Sequence, residues 1–430
     1  MAVLTEEQNM LRDAARTWTQ EKSPVSAFRK VRNSGVALGY DQAAFAEMAE
    51  MGWTGVIIPE EYGGSDFGWL SLGLILEETG RTLTASPILS SSVAAGAIVL
   101  AGSDAQKQHW LTKLASGEVV GALAVDEGPH HNPAKVALKA EKAGAGWKLT
   151  GKKTFVLEGP AAGLLVVSAK TDGGVSLFLV PGDAKGVAKH ALKLADSRGA
   201  ANIDFDGVEV GADALLGEEG KGGPLLDKVL DRARAALAAE MLGSALQAFE
   251  TTLDYLKTRV QFGQVIGSFQ ALQHRAAKMF TDLELSRSCV EAALTAIDND
   301  GAEVSELVSL AKAKMGDTLH LVSNEMVQMH GGIGMTDEHD AGLYLKRARA
   351  QETAFGGQAF HRDRYARLQG FCGGGHPFYP QITQIAQISL ARGLKRRRSG
   401  SPCAPKARDK ALTAAWSAPG LAARQSAKSA

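Results

Sequence analysis

The sequence predicts an α+β protein in which an N-terminal α-helical domain, a small β domain and a C-terminal four-helix bundle follow one another. Changes of pattern along the 430 residues carry this prediction. Helical periodicity dominates residues 1–118, short β-compatible runs dominate residues 119–218, and long helical periodicity returns over residues 222–371. The last segment, residues 372–430, lacks periodicity and is rich in Gly, Pro, Ser, Ala and Arg, so we expect a basic, disordered tail.

Composition narrows the class of protein. With 45% hydrophobic and 22% charged residues, the chain is typical of soluble globular proteins. The formal net charge of +0 is unevenly distributed, because residues 372–430 hold ten Lys and Arg and one acid, which leaves 37 basic and 46 acidic residues before them. An acidic body is not a general binder of nucleic acid. The three cysteines show no spacing for disulfides or zinc, and we expect no metal site.

Targeting features are also missing from the sequence. No stretch approaches the roughly 20 apolar residues of a membrane span, and the N-terminus lacks a basic region followed by an apolar core. We therefore expect a cytoplasmic protein with a reducing environment for its cysteines.

Individual elements follow from local signals. Thr5 is the expected N-cap of a first helix whose first turn contains Glu6 and Glu7. The other elements are expected over numbered ranges: helices at 41–51, 70–81 and 104–114; strands at 136–140, 147–149, 164–168, 175–180 and 201–205; bundle helices at 224–258, 269–297, 303–329 and 341–368. The sequence DNDG at 298–301 separates the second bundle helix from the third.

The first bundle helix carries an unusual carboxylate. Its apolar stripe is formed by residues at helical spacing, namely Leu230, Leu237, Met241, Ser244 and Leu256. Glu240 lies on the same stripe, and a buried carboxylate needs either a partner or a chemical role. Two interpretations are open: an ion pair with a basic residue of a neighbouring helix, such as Arg275 or Lys278, or a catalytic role.

Three motifs carry a resemblance to a known family. They are RVQFGQVIGSFQ at 259–270, QMHGGIG at 328–334 followed by Met335, and GWTGVIIPEEYGG at 52–64. In this order and spacing they resemble the acyl-CoA dehydrogenase family over about residues 3–371. The resemblance implies a small β-barrel as the middle domain, FAD as cofactor, an acyl-CoA substrate of fatty acid β-oxidation, an electron-transfer flavoprotein as electron acceptor, and a tetramer.

The resemblance also assigns flavin-binding residues. It places Arg259, Gln261, Phe262, Phe269 and Gln270 on the FAD of one subunit, with Arg259 as the pyrophosphate donor. It places Gln328, His330, Gly331 and Gly332 on the FAD of a neighbouring subunit, and it packs Phe155 on the isoalloxazine ring. Leu157 replaces the family's Thr near flavin N5, so the flavin potential or hydride acceptance is expected to differ from that of typical members. An alternative for Arg259 is simple capping of its helix C-terminus.

The family's catalytic base is missing from its usual positions. Most members carry a Glu in a Tyr-Glu-Gly sequence, and the matching residues here are Phe355, Gly356 and Gly357. Other members carry it at the position that matches Ala233. Glu240 lies two turns after Ala233 on the same helix face, which makes it the first candidate for the base. Glu352 is the second candidate, although Arg347 and Arg349 beside it indicate a surface ion pair as the alternative.

These departures resemble the small subunits of heteromeric acyl-CoA dehydrogenases, as do the sequences GGIGMTDEH at 331–339 and YLKR at 344–347. The leading hypothesis is an FAD-dependent acyl-CoA dehydrogenase, alone or as one subunit of a heteromer, with Glu240 as base. The second is a catalytically silent partner that completes the FAD site of an active related chain. The third is a flavin monooxygenase or oxidase on the same fold. The acyl chain, and the choice between homotetramer and heterotetramer, stay open.

Overall fold

The N-terminal part is helical in the computed structural model, which describes residues 4–371. Its helices are α1 (Glu6–Lys22), α2 (Val25–Ser34), α3 (Gln42–Glu50), α4 (Gly68–Arg81), α5 (Ile88–Ala101) and α6 (Asp104–Ala115). Thr5 is the N-cap of α1, as predicted, and forms a capping box with Gln8. Helix α5 was missed because most of its residues are apolar and buried, so it has no polar face to reveal a helical period.

The middle part is one mixed sheet. Its strands are β1 (Gly121–Ala124), β2 (Lys139–Ala143), β3 (Gly146–Leu157), β4 (Leu164–Thr171), β5 (Gly174–Pro181), β6 (Val187–Ala191), β7 (Ala200–Val210) and β8 (Leu215–Leu216). They are ordered β6-β7-β3-β2-β4-β5-β8, and β1 pairs in parallel with β4. The expected β-barrel is therefore corrected: β6 and β8, at opposite ends of this order, are not paired with each other in the described chain, and the sheet stays open.

The C-terminal part holds five helices where four were expected. They are α7 (Gly222–Thr258), α8 (Gln270–Asp298), α9 (Val304–His330), α10 (Ala341–Thr353) and α11 (Gln358–Leu368), and a short hairpin of β9 (Val260–Gln261) and β10 (Gln264–Val265) follows α7. The predicted helix at 341–368 is broken because Phe355 and Gly356 have φ angles of 55° and 103°, in the left-handed region. The predicted tail at 372–430 lies outside the described residues.

Helix α7 forms the centre of the core. It is buried on nearly all sides from Leu230 to Leu246, rather than along one stripe. It packs against α4, and the two helices cross at glycines: a Cβ atom at Gly80 would lie 2.2 Å from the carbonyl oxygen of Glu240, and one at Gly243 would lie 1.8 Å from that of Glu77. The absence of two side chains thus sets the distance between the helices.

Gly243→Ala is therefore expected to lower the free energy of unfolding by about 3 kcal/mol, because the added methyl group meets backbone that cannot rotate away. Chemical denaturation of the variant measures this. Gly223→Ala is the matched control in the same helix, since a Cβ at Gly223 meets nothing within 4 Å. Equal stabilities of the two variants would contradict this packing.

Candidate active site

The hairpin after α7 presents the first flavin motif to solvent. Its turn residues Phe262 and Gly263 have φ angles of 55° and 78°, as a two-residue turn between paired strands requires. Phe262 is 88% exposed, and its ring meets the Phe269 ring edge-on at 6.1 Å. The Arg259 backbone N–H donates to Tyr255, whereas the Arg259 guanidinium makes no hydrogen bond or ion pair within residues 4–371. The structure thus leaves this cation free and does not use its side chain as a helix cap.

The second flavin motif lies at the end of α9. The His330 ring is buried between Tyr255 and His339, with ring centroids 4.4 and 4.3 Å away, and its Nδ1 donates to the Met326 carbonyl at 2.7 Å. Burial lowers the pKa of His330. The next residues, Gly331 and Gly332, are open, since a Cβ at either would meet nothing within 4 Å. Within one chain, the contact between Tyr255 and His330 brings both motifs to the same end of the bundle.

These groups suit the pyrophosphate part of FAD. The anion needs a cation and backbone that a ligand can approach closely, and the hairpin supplies the free Arg259 guanidinium and the open Gly263. Gln261, Gln270 and Gln328 are exposed as well. The assignment of each of these residues to the cofactor remains a prediction. The same holds for His330, whose ring packs between Tyr255 and His339.

The third candidate flavin contact lies in the middle sheet. Phe155 is 53% exposed, has a φ angle of 50°, and its N–H donates to the side chain of Asn202 at 3.2 Å. Left-handed backbone in a bulky residue is a strained conformation that often marks a functional site. Its ring is thus available for a ligand, while the neighbouring Leu157 offers no hydrogen-bond donor.

Glu240 is held by arginines. Its carboxylate accepts a hydrogen bond from Arg347 at 2.7 Å, and Arg198 Nη2 lies 3.9 Å away. The partners expected from sequence are wrong: Arg275 pairs with Glu325, and Lys278 pairs with Asp282. The other end of the Arg347 guanidinium donates to Asp196 at 2.8 Å. Glu240 therefore belongs to a buried charge cluster, and its role as base stays a prediction.

Glu158 completes this cluster. Burial raises its pKa to about 8, against the lowering effect of Arg198 and Arg347. At neutral pH the carboxyl is therefore protonated, and two arginines face the two carboxylates of Glu240 and Asp196. One oxygen of Glu158 is buried without a hydrogen-bond partner.

The second candidate base is also engaged. Glu352 is buried, its carboxylate accepts a hydrogen bond from Arg349 at 2.5 Å, and Nδ1 of His320 lies 3.1 Å from its other oxygen. Arg349 was correctly expected beside it, whereas Arg347 turns instead to Glu240.

The position of the family's missing Glu is filled by other side chains. A Cβ at Gly356 would lie 2.5 Å from the Phe360 ring and 3.0 Å from Nε2 of His361. Phe360 in turn packs against the His131 ring at 5.1 Å and lies 5.3 Å from the Arg234 guanidinium. A longer side chain at Gly356 could not be accommodated without moving Phe360.

Arg234 connects this region to the loop after β1. Its Nε donates to the Phe355 carbonyl and its Nη2 to Nε2 of His131, both at 3.2 Å. Because Arg only donates, Nε2 of His131 accepts, and Nδ1 then donates to Asp126 at 2.8 Å. The sequence analysis assigned no site role to Arg234 or His131, although Arg234 directly follows Ala233.

Further cations surround Arg234. Asp231, 2% exposed, bridges Arg234 at 3.1 Å and Arg364 at 2.7 Å. Lys312 is fully buried, and its Nζ donates to the carbonyls of Gln351, Glu352 and Gly356. Burial lowers the pKa of Lys312 to about 7. The region is therefore rich in positive charge where the family carries a catalytic carboxylate.

Cavities occur elsewhere in the described chain. One of about 550 Å³ is lined by residues that include Trp147 and Glu209, and one of about 430 Å³ by residues that include Ser288 and Leu307. Residues 4–371 hold no group of three His, Cys, Asp or Glu that could bind a metal ion. In the same range, every helix is too short or too polar to cross a membrane.

Comparison with solved structures identifies the fold. The chain superimposes on butyryl-CoA dehydrogenase from Megasphaera elsdenii with a TM-score of 0.80 at 25% identity, covering 86% of this chain and 99% of that one. It superimposes on the ChsE4-ChsE5 complex from Mycobacterium tuberculosis with a TM-score of 0.80 at 27% identity, covering 87% and 100%.

Comparison of sequences identifies the family. The model of the acyl-CoA dehydrogenase N-terminal domain matches residues 5–118, and that of the C-terminal domain matches residues 220–369. The chain is 33% identical over 331 residues to the mitochondrial 2-methylacyl-CoA dehydrogenase of Solanum tuberosum, covering 73% of this chain and 79% of that protein. It is 30% identical over 379 residues to the acryloyl-CoA reductase (NADH) of Anaerotignum propionicum, covering 85% and 94%. The chain therefore belongs to the acyl-CoA dehydrogenase family of FAD-dependent oxidoreductases.

Proposed function

We propose that this chain is one subunit of a heteromeric acyl-CoA dehydrogenase, and that a carboxylate of the related chain paired with it removes the substrate's α-proton. The proposal rests on the residues found at the two positions where members of the family carry the catalytic base. Ala233 and Gly356 offer no carboxylate, and Phe360, which packs against Arg234 and His131, occupies the space beside Gly356. Abstraction of an α-proton needs a positioned base with access to substrate, and this region provides neither.

The reaction of the assembly is the α,β-desaturation of an acyl-CoA thioester, with electrons passed on to an electron-transfer flavoprotein. FAD, when bound, supplies acceptance of the β-hydrogen as hydride. This chain contributes the exposed Gln328, Gly331 and Gly332 to the FAD of the related chain, and the free Arg259 to a pyrophosphate. The similar ChsE4-ChsE5 structure is a complex of two chains, which supports a paired assembly. A cytoplasmic location remains a prediction from sequence.

The second candidate is the leading hypothesis from sequence, a dehydrogenase with Glu240 as its own base. Its favourable observation is that Glu240 is a buried carboxylate on α7, the helix that also carries Ala233. The observation against it is the hydrogen bond from Arg347 at 2.7 Å, which engages one of the two carboxylate oxygens with a guanidinium and stabilises the ionised form.

Glu240→Gln separates the two candidates. In the assembled heteromer we expect turnover per bound flavin to stay within about threefold of the unmutated value, because Gln keeps an acceptor for Arg347. Loss of a general base costs about 10²–10⁴-fold, so a loss of that size with flavin still bound would establish Glu240 as the base. Glu250→Gln, more exposed on the same helix and paired with Arg81, is the control.

Co-purification tests the assembly itself. The chain is expressed alone and together with a related chain that carries Glu at the position matching Ala233 or Gly356. We expect flavin-dependent turnover of an acyl-CoA only from the co-purified pair. Full turnover by this chain alone, with the same flavin content, would overturn the proposal.

A further inference from the structure

The segment after α9 forms a closed loop, here named the glycine loop and defined as residues 330–340. Its two ends meet where the His330 and His339 rings contact each other, with centroids 4.3 Å apart and planes tilted by 47°. Between these ends lie Gly331 and Gly332, which are open to solvent, and Met335, which is 83% exposed. The loop thus has a packed base and an exposed, glycine-rich tip.

Two arginines of α2 bind the C-terminal side of this loop. The contacts of Arg29 and Arg32 with Asp337 and Asp340 are here named the arginine clamp. Arg29 donates through Nε and Nη2 to the Asp340 carboxylate at 2.9 and 2.7 Å, and through Nη1 to the Asp337 carbonyl at 2.5 Å. Arg32 donates to both carboxylate oxygens of Asp337, at 2.6 and 2.8 Å. The fork-to-fork pairing of Arg32 with Asp337 fixes orientation as well as distance.

The arginine clamp joins the N-terminal helical part of the fold to the C-terminal part. Helix α2 belongs to the N-terminal helical part, about 300 residues before the loop. The side chains of Arg29 and Arg32 are only 20% and 18% exposed, so they are held in place by their surroundings. The hydrogen bond from Arg32 lowers the pKa of Asp337, which keeps this carboxylate ionised.

We infer that Arg29 and Arg32 are positioning residues for flavin binding, which act by holding the glycine loop in the conformation that receives FAD. The inference rests on the proposed function, in which the segment Gln328–Gly332 completes the FAD site of the related chain. A loop with adjacent glycines samples many conformations unless its ends are fixed. If loss of the arginine clamp reduces the fraction of molecules whose glycine loop can bind FAD to about a tenth, the apparent dissociation constant for FAD rises about tenfold.

Exchange of the charges of Arg32 and Asp337 tests the arginine clamp. Arg32→Glu, Asp337→Arg and the double variant are each prepared in the co-purified assembly, and FAD is titrated into the apoprotein by flavin fluorescence. We expect each single variant to weaken FAD binding about tenfold or more, and the double variant to return to within about threefold. Arg362→Glu, which breaks the exposed pair with Asp317 on other helices, is the control and is expected to leave the affinity unchanged.

Hydrogen exchange of the glycine loop, measured on the same samples, provides a readout that does not depend on FAD. Faster exchange of residues 330–340 in the single variants together with weaker FAD binding supports the inference. Faster exchange with unchanged FAD affinity would overturn it, as would a double variant no better than the singles. An unmutated assembly that binds no FAD would overturn the proposed function and this inference with it.

Discussion

Asp231→Asn is expected to lower the free energy of unfolding by about 3–5 kcal/mol, the cost of breaking a buried ion pair by removing one partner. Asp231 accepts hydrogen bonds from Ser305 at 2.7 Å and from Arg364 at 2.9 Å, besides the one from Arg234. Its loss of charge leaves two guanidinium groups in the interior with no carboxylate between them. Thermal and urea denaturation of the purified chain measure the effect.

The control for this change is Asp227→Asn, one turn earlier on α7 and exposed. It removes the same charge from the same helix and is expected to change stability by about 0.5 kcal/mol or less. If both variants were equally stable, the buried cluster around Arg234 would not contribute as its geometry implies.

Glu158→Gln is expected to make stability less dependent on pH. The folded-state pKa of Glu158, about 8, lies above its ordinary value of 4.5 because burial disfavours the charged form. Between these values the folded state keeps a proton that the unfolded state has lost, so the stability that Glu158 contributes is full below pH 4.5 and falls as pH rises towards 8. Relative to the Gln variant, the wild-type chain is expected to lose about 1.4 kcal/mol per pH unit over that range.

Comparison with the Gln variant is needed because another group opposes this trend. Lys312, with its pKa lowered to about 7, makes the folded state lose a proton before the unfolded state does, which raises stability between pH 7 and 10.5. The difference between wild type and Glu158→Gln cancels that contribution. Glu141→Gln, exposed on β2, is the control, and parallel pH profiles for all three proteins would contradict a neutral Glu158.

Long elements with clear periodicity were predictable from sequence. The ends of α7, α8 and α9 lie within two residues of the predicted ranges, since their apolar spacing and the break at residues 298–301 are local signals. Helix α5 lacks a polar face. The break between α10 and α11 was not predicted, although Gly356 and Gly357, which follow the left-handed Phe355, are a local signal for it. The open sheet was not predictable either, because closure depends on pairing between distant strands.

The residues of the candidate site also differ in how far the sequence predicts them. The exposed flavin motifs are contiguous in sequence, so Arg259 and Gly331 could be named as candidates from their neighbours. The partners of Glu240 and Arg234 are distant: Arg347 lies 107 residues after Glu240, and His131 lies 103 residues before Arg234. Such contacts are set by the packing of α7 between the sheet and α10, and a single sequence contains no record of that packing.

In the proposed assembly this chain has no base of its own that can remove the substrate's α-proton. An anaerobic titration of the chain purified alone and loaded with FAD, against a panel of acyl-CoA thioesters, tests this claim most directly. We expect that the flavin absorption does not bleach with any thioester, and that it bleaches once the related chain is present. Bleaching of the isolated chain by one acyl-CoA would contradict the account and would return the role of base to Glu240.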